Sequence, residues 1–380
     1  MTIQEPNRED ARVFRHHENV DGKEDSAFLD AVTPPPFPPD GPSQPLAPPG
    51  RDSHMPGQLS DTTILVPGNL HTHAMERIGR DFRLARLQRA DAALVTPELA
   101  GSVRGIAAMT AIDAAFVDAL PKLEIVASCG VGYDSVDAAH CALRGVMVTN
   151  TPDVLSEEVA DTTVGLLINT VRELPRAESW LRSGRWASEG EYRLTPATLR
   201  GRHAGIFGLG RIGLAVAARL TALGLRVSYH NRRPLPAVDY DYYPDLVSLA
   251  EAVDTLICVV PGGAATERAV NADVLRALGP DGVVVNVGRG STIDEPALIS
   301  ALADGTIRAA GLDVFADEPH VPAALLDLPN ACLLPHVGSA SMHTRRAMAD
   351  LVVDNLESWF GRGRALTPVP ETSAVSRPTS

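Results

Sequence analysis

The 380-residue sequence has little cysteine: four residues, Cys129, Cys141, Cys258 and Cys332, with no C-x-x-C spacing. That excludes a disulfide scaffold and a thiolate metal centre, and nothing else in the chain asks for a metal. Most of the four stand in apolar stretches that read as strands, so they are expected to be reduced core thiols. Basic charge is also short. Lys and Arg number 34 against 47 Asp and Glu, a net charge of −13. General affinity for nucleic acid or an anionic membrane is excluded, because both need clustered positive charge. No apolar run reaches the length of a membrane-spanning helix, and the first residues carry acids rather than a signal-peptide core. A cytoplasmic protein is the expectation.

What is present is first a length sufficient for two domains and an ordinary globular composition, 44% hydrophobic and 21% charged. Residues 1–60 depart from it. They are rich in Pro, Asp, Glu and Gly around Pro34-Pro35-Pro36-Phe37-Pro38-Pro39, and read as a disordered extension. Met55 stands just before the sequence of a folded domain, as an alternative start would. From Thr62 strands alternate with helices, at Ile64–Val66, Ala92–Val95, Glu124–Ser128 and Val146–Val148. That pattern predicts a parallel sheet with helices on both faces. A long helix opened by Pro152-Asp153 follows, with Val159, Thr163, Leu166, Leu167 and Thr170 at helical spacing, and is expected to bridge two domains.

A second alternating series, with strands near 204–207, 226–229, 255–260, 283–287, 309–314 and 331–334, suffices for a doubly wound sheet. The helical stretch Ser341–Trp359 has no sheet of its own left, so it returns to the first. The expected organisation is therefore a discontinuous substrate domain, 61–153 with 338–366, a cofactor domain, 154–337, and a disordered tail, 367–380.

The second series opens on Ala204-Gly205-Ile206-Phe207-Gly208-Leu209-Gly210-Arg211-Ile212-Gly213, an apolar strand, a glycine turn and a helix start. Gly208 permits the tight turn, Gly210 lets backbone N–H groups approach a pyrophosphate, and Gly213 allows the helix to pack on the strand. The helix N-terminus favours the phosphate charge. An acid selecting NAD is usual about twenty residues further on. Here that place holds Tyr229-His230-Asn231-Arg232-Arg233-Pro234. Two guanidinium groups in place of a carboxylate point to NADP(H), with NAD(H) second; the plainer alternative is a solvated turn.

Three polar residues follow later strands of this series, where ligands sit in open α/β sheets. Arg289 ends Val284–Val287 between two glycines and is suited to a carboxylate and its neighbouring carbonyl. His336, after Leu333-Leu334-Pro335, is suited to proton transfer near neutral pH. Glu318 is placed to accept a hydrogen bond from that imidazole and fix its tautomer.

Together these features closely resemble the D-isomer-specific 2-hydroxyacid dehydrogenases, and within them the glyoxylate/hydroxypyruvate reductases. The matching stretches are Cys129–Asp137, Thr149–Val154, Gly208–Gly213, Asn286–Leu298, Gly311–Pro319 and Pro335–Ser341. The resemblance implies a Rossmann cofactor domain and a flavodoxin-like substrate domain around a cleft, usually in a homodimer. It implies that Arg289 binds a small 2-oxo acid, that His336 is the general acid/base and that Glu318 orients it. By the same match the N–H groups of Val131 and Gly132 anchor the substrate carboxylate. Leu209, Gly210, Arg211 and Ile212 hold the pyrophosphate, and Asn231, Arg232 and Arg233 the 2′-phosphate. Val260, Thr266, Val287, His336 and Gly338 belong to the cofactor site, with Asp313 on the nicotinamide carboxamide. Ile106–Met109 fall in the substrate pocket. Two alternatives accompany this: a dehydrogenase of larger 2-oxo acids, and a cofactor-sensing co-repressor on the same fold.

Overall fold

The computed structural model describes residues 59–377. All but Leu59 and Ser60 of the expected extension lies outside them. Two parallel sheets carry the described chain. The first joins β1 (Thr63–Pro67), β2 (Arg83–Leu87), β3 (Val103–Ala108), β4 (Ile125–Ser128) and β5 (Met147–Thr149) in the order β2-β1-β3-β4-β5. The second joins β6 (His203–Phe207), β7 (Arg226–His230), β8 (Asp241–Tyr243), β9 (Thr255–Cys258), β10 (Val283–Asn286), β11 (Ala309–Leu312) and β12 (Ala331–Leu333). Its order is β12-β11-β10-β9-β6-β7-β8. The first is the flavodoxin-like order and the second the dinucleotide-binding order with an added edge strand. The central strands β1, β4, β9, β10 and β11 are buried throughout, which is why they read as unbroken apolar runs.

The helix Ser156–Arg172 links the two cores. Val159 near its start packs with β1 and β4 residues, whereas Leu166, Leu167 and Val171 pack with β6, β9 and β10 residues. Helix Met342–Arg362 returns to the first sheet and buries Met348, Val352, Val353, Leu356, Trp359 and Phe360 there. Its outer face carries Asp350, Asp354 and Glu357 at helical spacing, and all three pair with Arg77 of helix Thr72–Asp81. Cys129, Cys141 and Cys258 are buried and Cys332 partly so, and all four are free thiols.

Several expectations need correction. Residues 367–377 are not a loose tail among the described residues. Val369 and Thr372 are buried, and Val369 N–H donates to Val148 O at 2.9 Å beside the edge strand β5. Ala92–Val95 form no strand; Asp91 caps a single 3-10 turn, Ala92–Leu94. The strands β2, β3 and β8 were not expected. Ile106, Ala107 and Ala108 are interior residues of β3 rather than pocket lining, and only Met109, 50% exposed, is left at the surface.

Candidate active site

The glycine turn stands at the junction of β6 and β9, where strand order reverses. Gly208 has φ +102°, and a Cβ there would lie 2.7 Å from Val260 Cγ1. Gly213 packs so closely that a Cβ would come 2.3 Å from Gly208 O. Gly210 is different: nothing lies within 4 Å of where its Cβ would be. It begins helix Arg211–Ala222, whose first turn has no side-chain cap. Uncapped N–H groups beside open space suit a pyrophosphate, so the turn fits a dinucleotide.

Leu209 and Asn231 shape this turn directly. Leu209 N–H donates to Asn231 Oδ1 at 2.7 Å, leaving later amides for an anion. Arg211 pairs with Asp153 at 2.8 Å. Arg232 and Arg233 are exposed, with no ion pair among the described residues. Val260 is buried, and Ile212 and Val287 are partly buried against both cores. Thr266 spends its hydroxyl on Pro261 O at 2.7 Å, within its own loop.

The expected pair of His336 and Glu318 is formed in the fold. His336 Nδ1 lies 2.7 Å from Glu318 Oε2, while Glu318 Oε1 accepts Phe315 N–H at 3.0 Å. A carboxylate held from both sides orients the imidazole and leaves Nε2 as the nitrogen free of this contact. His336 has φ +52°, in the left-handed region that residues with a side chain adopt uncommonly. Asp313 holds the chain just after it: its carboxylate oxygens accept the N–H groups of Val337 at 2.7 Å and Gly338 at 2.8 Å. Burial pushes the Asp313 carboxyl up from its ordinary value despite those bonds. A Cβ at Gly338 would come 2.9 Å from Asp313 Oδ2, so glycine is needed for this clamp.

Arg289 is turned toward the other sheet. Its Nε donates to Asp134 Oδ1 at 3.0 Å and its Nη1 to Gly288 O at 2.9 Å. Its Nη2 rests on Gly132, where a Cβ would be 1.7 Å away. The fold thus joins Arg289 to the Val131-Gly132 segment, although they lie about 155 positions apart. Asn286 steadies the Arg289 turn through Nδ2 to Arg289 O at 2.9 Å and Oδ1 from Gly288 N–H at 3.0 Å. Sequence reasoning missed Asp134 and Asn286 as site residues. Both sit in stretches quoted for the resemblance, and their nearness to glycine pairs was the available signal.

A dinucleotide cradle, a positioned imidazole and a guanidinium in one fold define a nicotinamide-dependent oxidoreductase. Residues 164–338 match the NAD binding domain of the D-isomer specific 2-hydroxyacid dehydrogenases. A hydroxyphenylpyruvate reductase of Plectranthus scutellarioides is 49% identical over 257 residues, 68% of this chain and 82% of that protein. A glyoxylate/hydroxypyruvate reductase of Arabidopsis thaliana is 46% identical over 270 residues, 70% of this chain and 86% of that protein. Among solved structures, the NADPH-dependent glyoxylate/hydroxypyruvate reductase of Sinorhizobium meliloti, in complex with NADP and malonate, is 58% identical. It has a TM-score of 0.83 and covers 84% of this chain and 100% of its own. The chain belongs to the D-isomer-specific 2-hydroxyacid dehydrogenase family.

Proposed function

We propose that this protein reduces a small 2-oxo acid, glyoxylate or hydroxypyruvate, to the D-2-hydroxy acid with NADPH. The observation that carries the proposal is the 2.7 Å pairing of His336 with Glu318, a proton donor held ready after a strand of the sheet that carries the dinucleotide turn. Relatives named for these substrates, and the Sinorhizobium structure solved with NADP, support it. When bound, the cofactor supplies the hydride. Gly208–Gly213 hold its pyrophosphate and Arg232 and Arg233 its 2′-phosphate. Val260, Val287 and Asp313 belong to the same site.

The chain's own residues do the rest. The N–H groups of Val131 and Gly132 and the Nη2 of Arg289 hold the substrate carboxylate and turn the keto oxygen toward His336. As negative charge grows on that oxygen, the imidazolium gives up its Nε2 proton, while Nδ1 keeps its hydrogen bond to Glu318. Arg289 stabilises the same charge, so it acts on turnover as well as binding. Asp134 holds Arg289 in place, and its charge opposes substrates that carry a second carboxylate nearby.

The same proposal takes the chain as a cytoplasmic homodimer. Leu181, Trp186 and Leu194, exposed by 54%, 59% and 94%, supply apolar surface beyond both cores. Among the described residues no helix is long and apolar enough to cross a membrane. A second reading, reduction of larger aromatic 2-oxo acids, is favoured by the hydroxyphenylpyruvate reductase at 49% identity. Steady-state oxidation of NADPH and NADH with glyoxylate, hydroxypyruvate, pyruvate and phenylpyruvate separates them. Fastest turnover of the two smallest acids with NADPH supports the proposal. A preference for phenylpyruvate selects the second reading, and no turnover with any acid refutes both.

A further inference from the structure

The segment 366–375, beyond the last helix, runs beside the substrate-anchor loop. Val369 N–H donates to Val148 O, Val148 N–H donates to Thr372 Oγ1 at 3.0 Å, and Thr149 forms an antiparallel bridge with Pro368. The segment so lies along the outer side of β5, with a 3-10 turn at Pro370–Thr372. Its start is clamped by buried Asn355, whose Oδ1 accepts the N–H groups of Leu366 at 3.0 Å and Thr367 at 3.1 Å. Asn355 Nδ2 also donates to Thr367 Oγ1 at 2.9 Å.

Two tethers run from this segment to Val131-Gly132-Tyr133. In the first, Thr367 Oγ1 donates to Asn150 O at 2.6 Å, and Asn150 Nδ2 donates to Val131 O at 2.8 Å. In the second, Tyr133 OH donates to Glu371 Oε2 at 3.0 Å. The first acts on a rigid unit: Val131 C=O and Gly132 N–H share one planar trans peptide and point in opposite directions. Holding the carbonyl toward Asn150 therefore aims the N–H the other way, on the residue against which Arg289 rests. The second tether fixes the next residue, so the loop is held on both sides of the anchoring peptide.

We propose that Asn150, Thr367 and Glu371 are positioning residues for the substrate carboxylate, and that the C-terminal segment is a strap fixing the orientation of the Val131–Gly132 peptide. This rests on the reading of Val131 and Gly132 as the carboxylate anchor. None of the strap residues lies on the dinucleotide turn, so the strap acts on oxo-acid binding and leaves cofactor binding alone.

The test is steady-state kinetics of the full-length enzyme with glyoxylate, together with NADPH affinity, for Asn150→Asp, Thr367→Val, Thr367→Ser, Glu371→Ala and Gly132→Ala. Losing one hydrogen bond of ordinary strength raises the glyoxylate KM about three- to tenfold in Thr367→Val and Glu371→Ala. Asn150→Asp, which sets a carboxylate oxygen against Val131 O, raises it more. Thr367→Ser keeps the hydroxyl and returns KM to the parent value. Throughout, the NADPH Kd stays within twofold and kcat falls less than KM rises, a split that a loss of folded protein does not produce. Glu371 is exposed, so its variant reports even if the buried ones fold poorly. A glyoxylate KM unchanged in Glu371→Ala and Asn150→Asp overturns the strap. If Gly132→Ala still raises KM in that case, the anchor stands and the strap alone is refuted. If Gly132→Ala is silent as well, the anchor reading falls with it.

Discussion

Two glycines three positions apart, Gly210 and Gly213, separate the cofactor cradle from the fold that supports it. Gly210 has φ −91° and ψ −157°, an extended conformation open to alanine, and its Cβ would meet nothing within 4 Å. Gly210→Ala therefore changes stability little: the loss of a glycine cap, a few tenths of a kcal/mol or somewhat more, is offset by about 0.4–1 kcal/mol of reduced unfolded-state entropy. The methyl instead stands in the space left for the pyrophosphate. A displacement costing about 1.4 kcal/mol already weakens binding tenfold. Gly213→Ala acts in the opposite way. Its Cβ would lie 2.3 Å from Gly208 O, about 1 Å inside an ordinary carbon–oxygen contact of ~3.3 Å. Overpacking of this kind costs about 1–3 kcal/mol. At about 2–4 °C per kcal/mol, the melting temperature falls by roughly 2–12 °C. Thermal melts without ligand and calorimetric titration with NADPH read both effects. Gly210→Ala binding NADPH within twofold of the parent at an unchanged melting temperature would refute the cradle. Gly213→Ala melting with the parent protein would refute the close helix–strand approach.

Further predictions concern cofactor choice and the helix pair under the first sheet. Arg232→Asp should raise the KM for NADPH at least about tenfold, by losing a charge-assisted contact and adding a repulsive one, and that for NADH little; equal effects on the two cofactors would remove the 2′-phosphate role. At Asp350 burial acts to raise the carboxyl, but hydrogen bonds from His73 and Arg77 outweigh it and hold it below its ordinary value. A depressed folded value means stability that is present above about pH 4 and lost as pH falls through it. Melting temperatures of the parent and Asp350→Asn should therefore differ near neutral pH and converge in acid, and a constant gap across that range contradicts the linkage.

The legible parts of the sequence were those in which one physical signal repeats. Central strands such as Val283–Asn286 are buried throughout and mostly apolar because helices cover both faces, and Gly208 and Gly213 each answer a packing demand while Gly210 borders open space. The edge strands β2 and β8 gave no such signal. β2 reads Arg-Leu-Ala-Arg-Leu with only partial burial, and β8 has three residues. β3 is interrupted by Gly105, which looks like a strand breaker. It is needed there because a Cβ would press within 2.7 Å of Ile64 Cδ1 and 3.2 Å of Phe360 Cε2. The C-terminal segment buries Val369 and Thr372 in a run of Pro, Thr, Glu and Ser, too few apolar positions to show a period. Arg289, Glu318 and His336 were found from their places after strands. Asp134 and the Asn150–Thr367 pair were not, because the contacts of Asp134 with Arg289 and of Asn150 with Thr367 are made by chain folding across long separations.

The central claim is that His336, held by Glu318, gives the proton to the forming alkoxide. The direct measurement is kcat for glyoxylate reduction by His336→Ala, with NADPH affinity determined on the same preparation. General acid catalysis is worth about 10²–10⁴-fold, so kcat should fall by that factor while NADPH affinity is kept. A kcat within a few-fold of the parent enzyme would contradict the proton-transfer role.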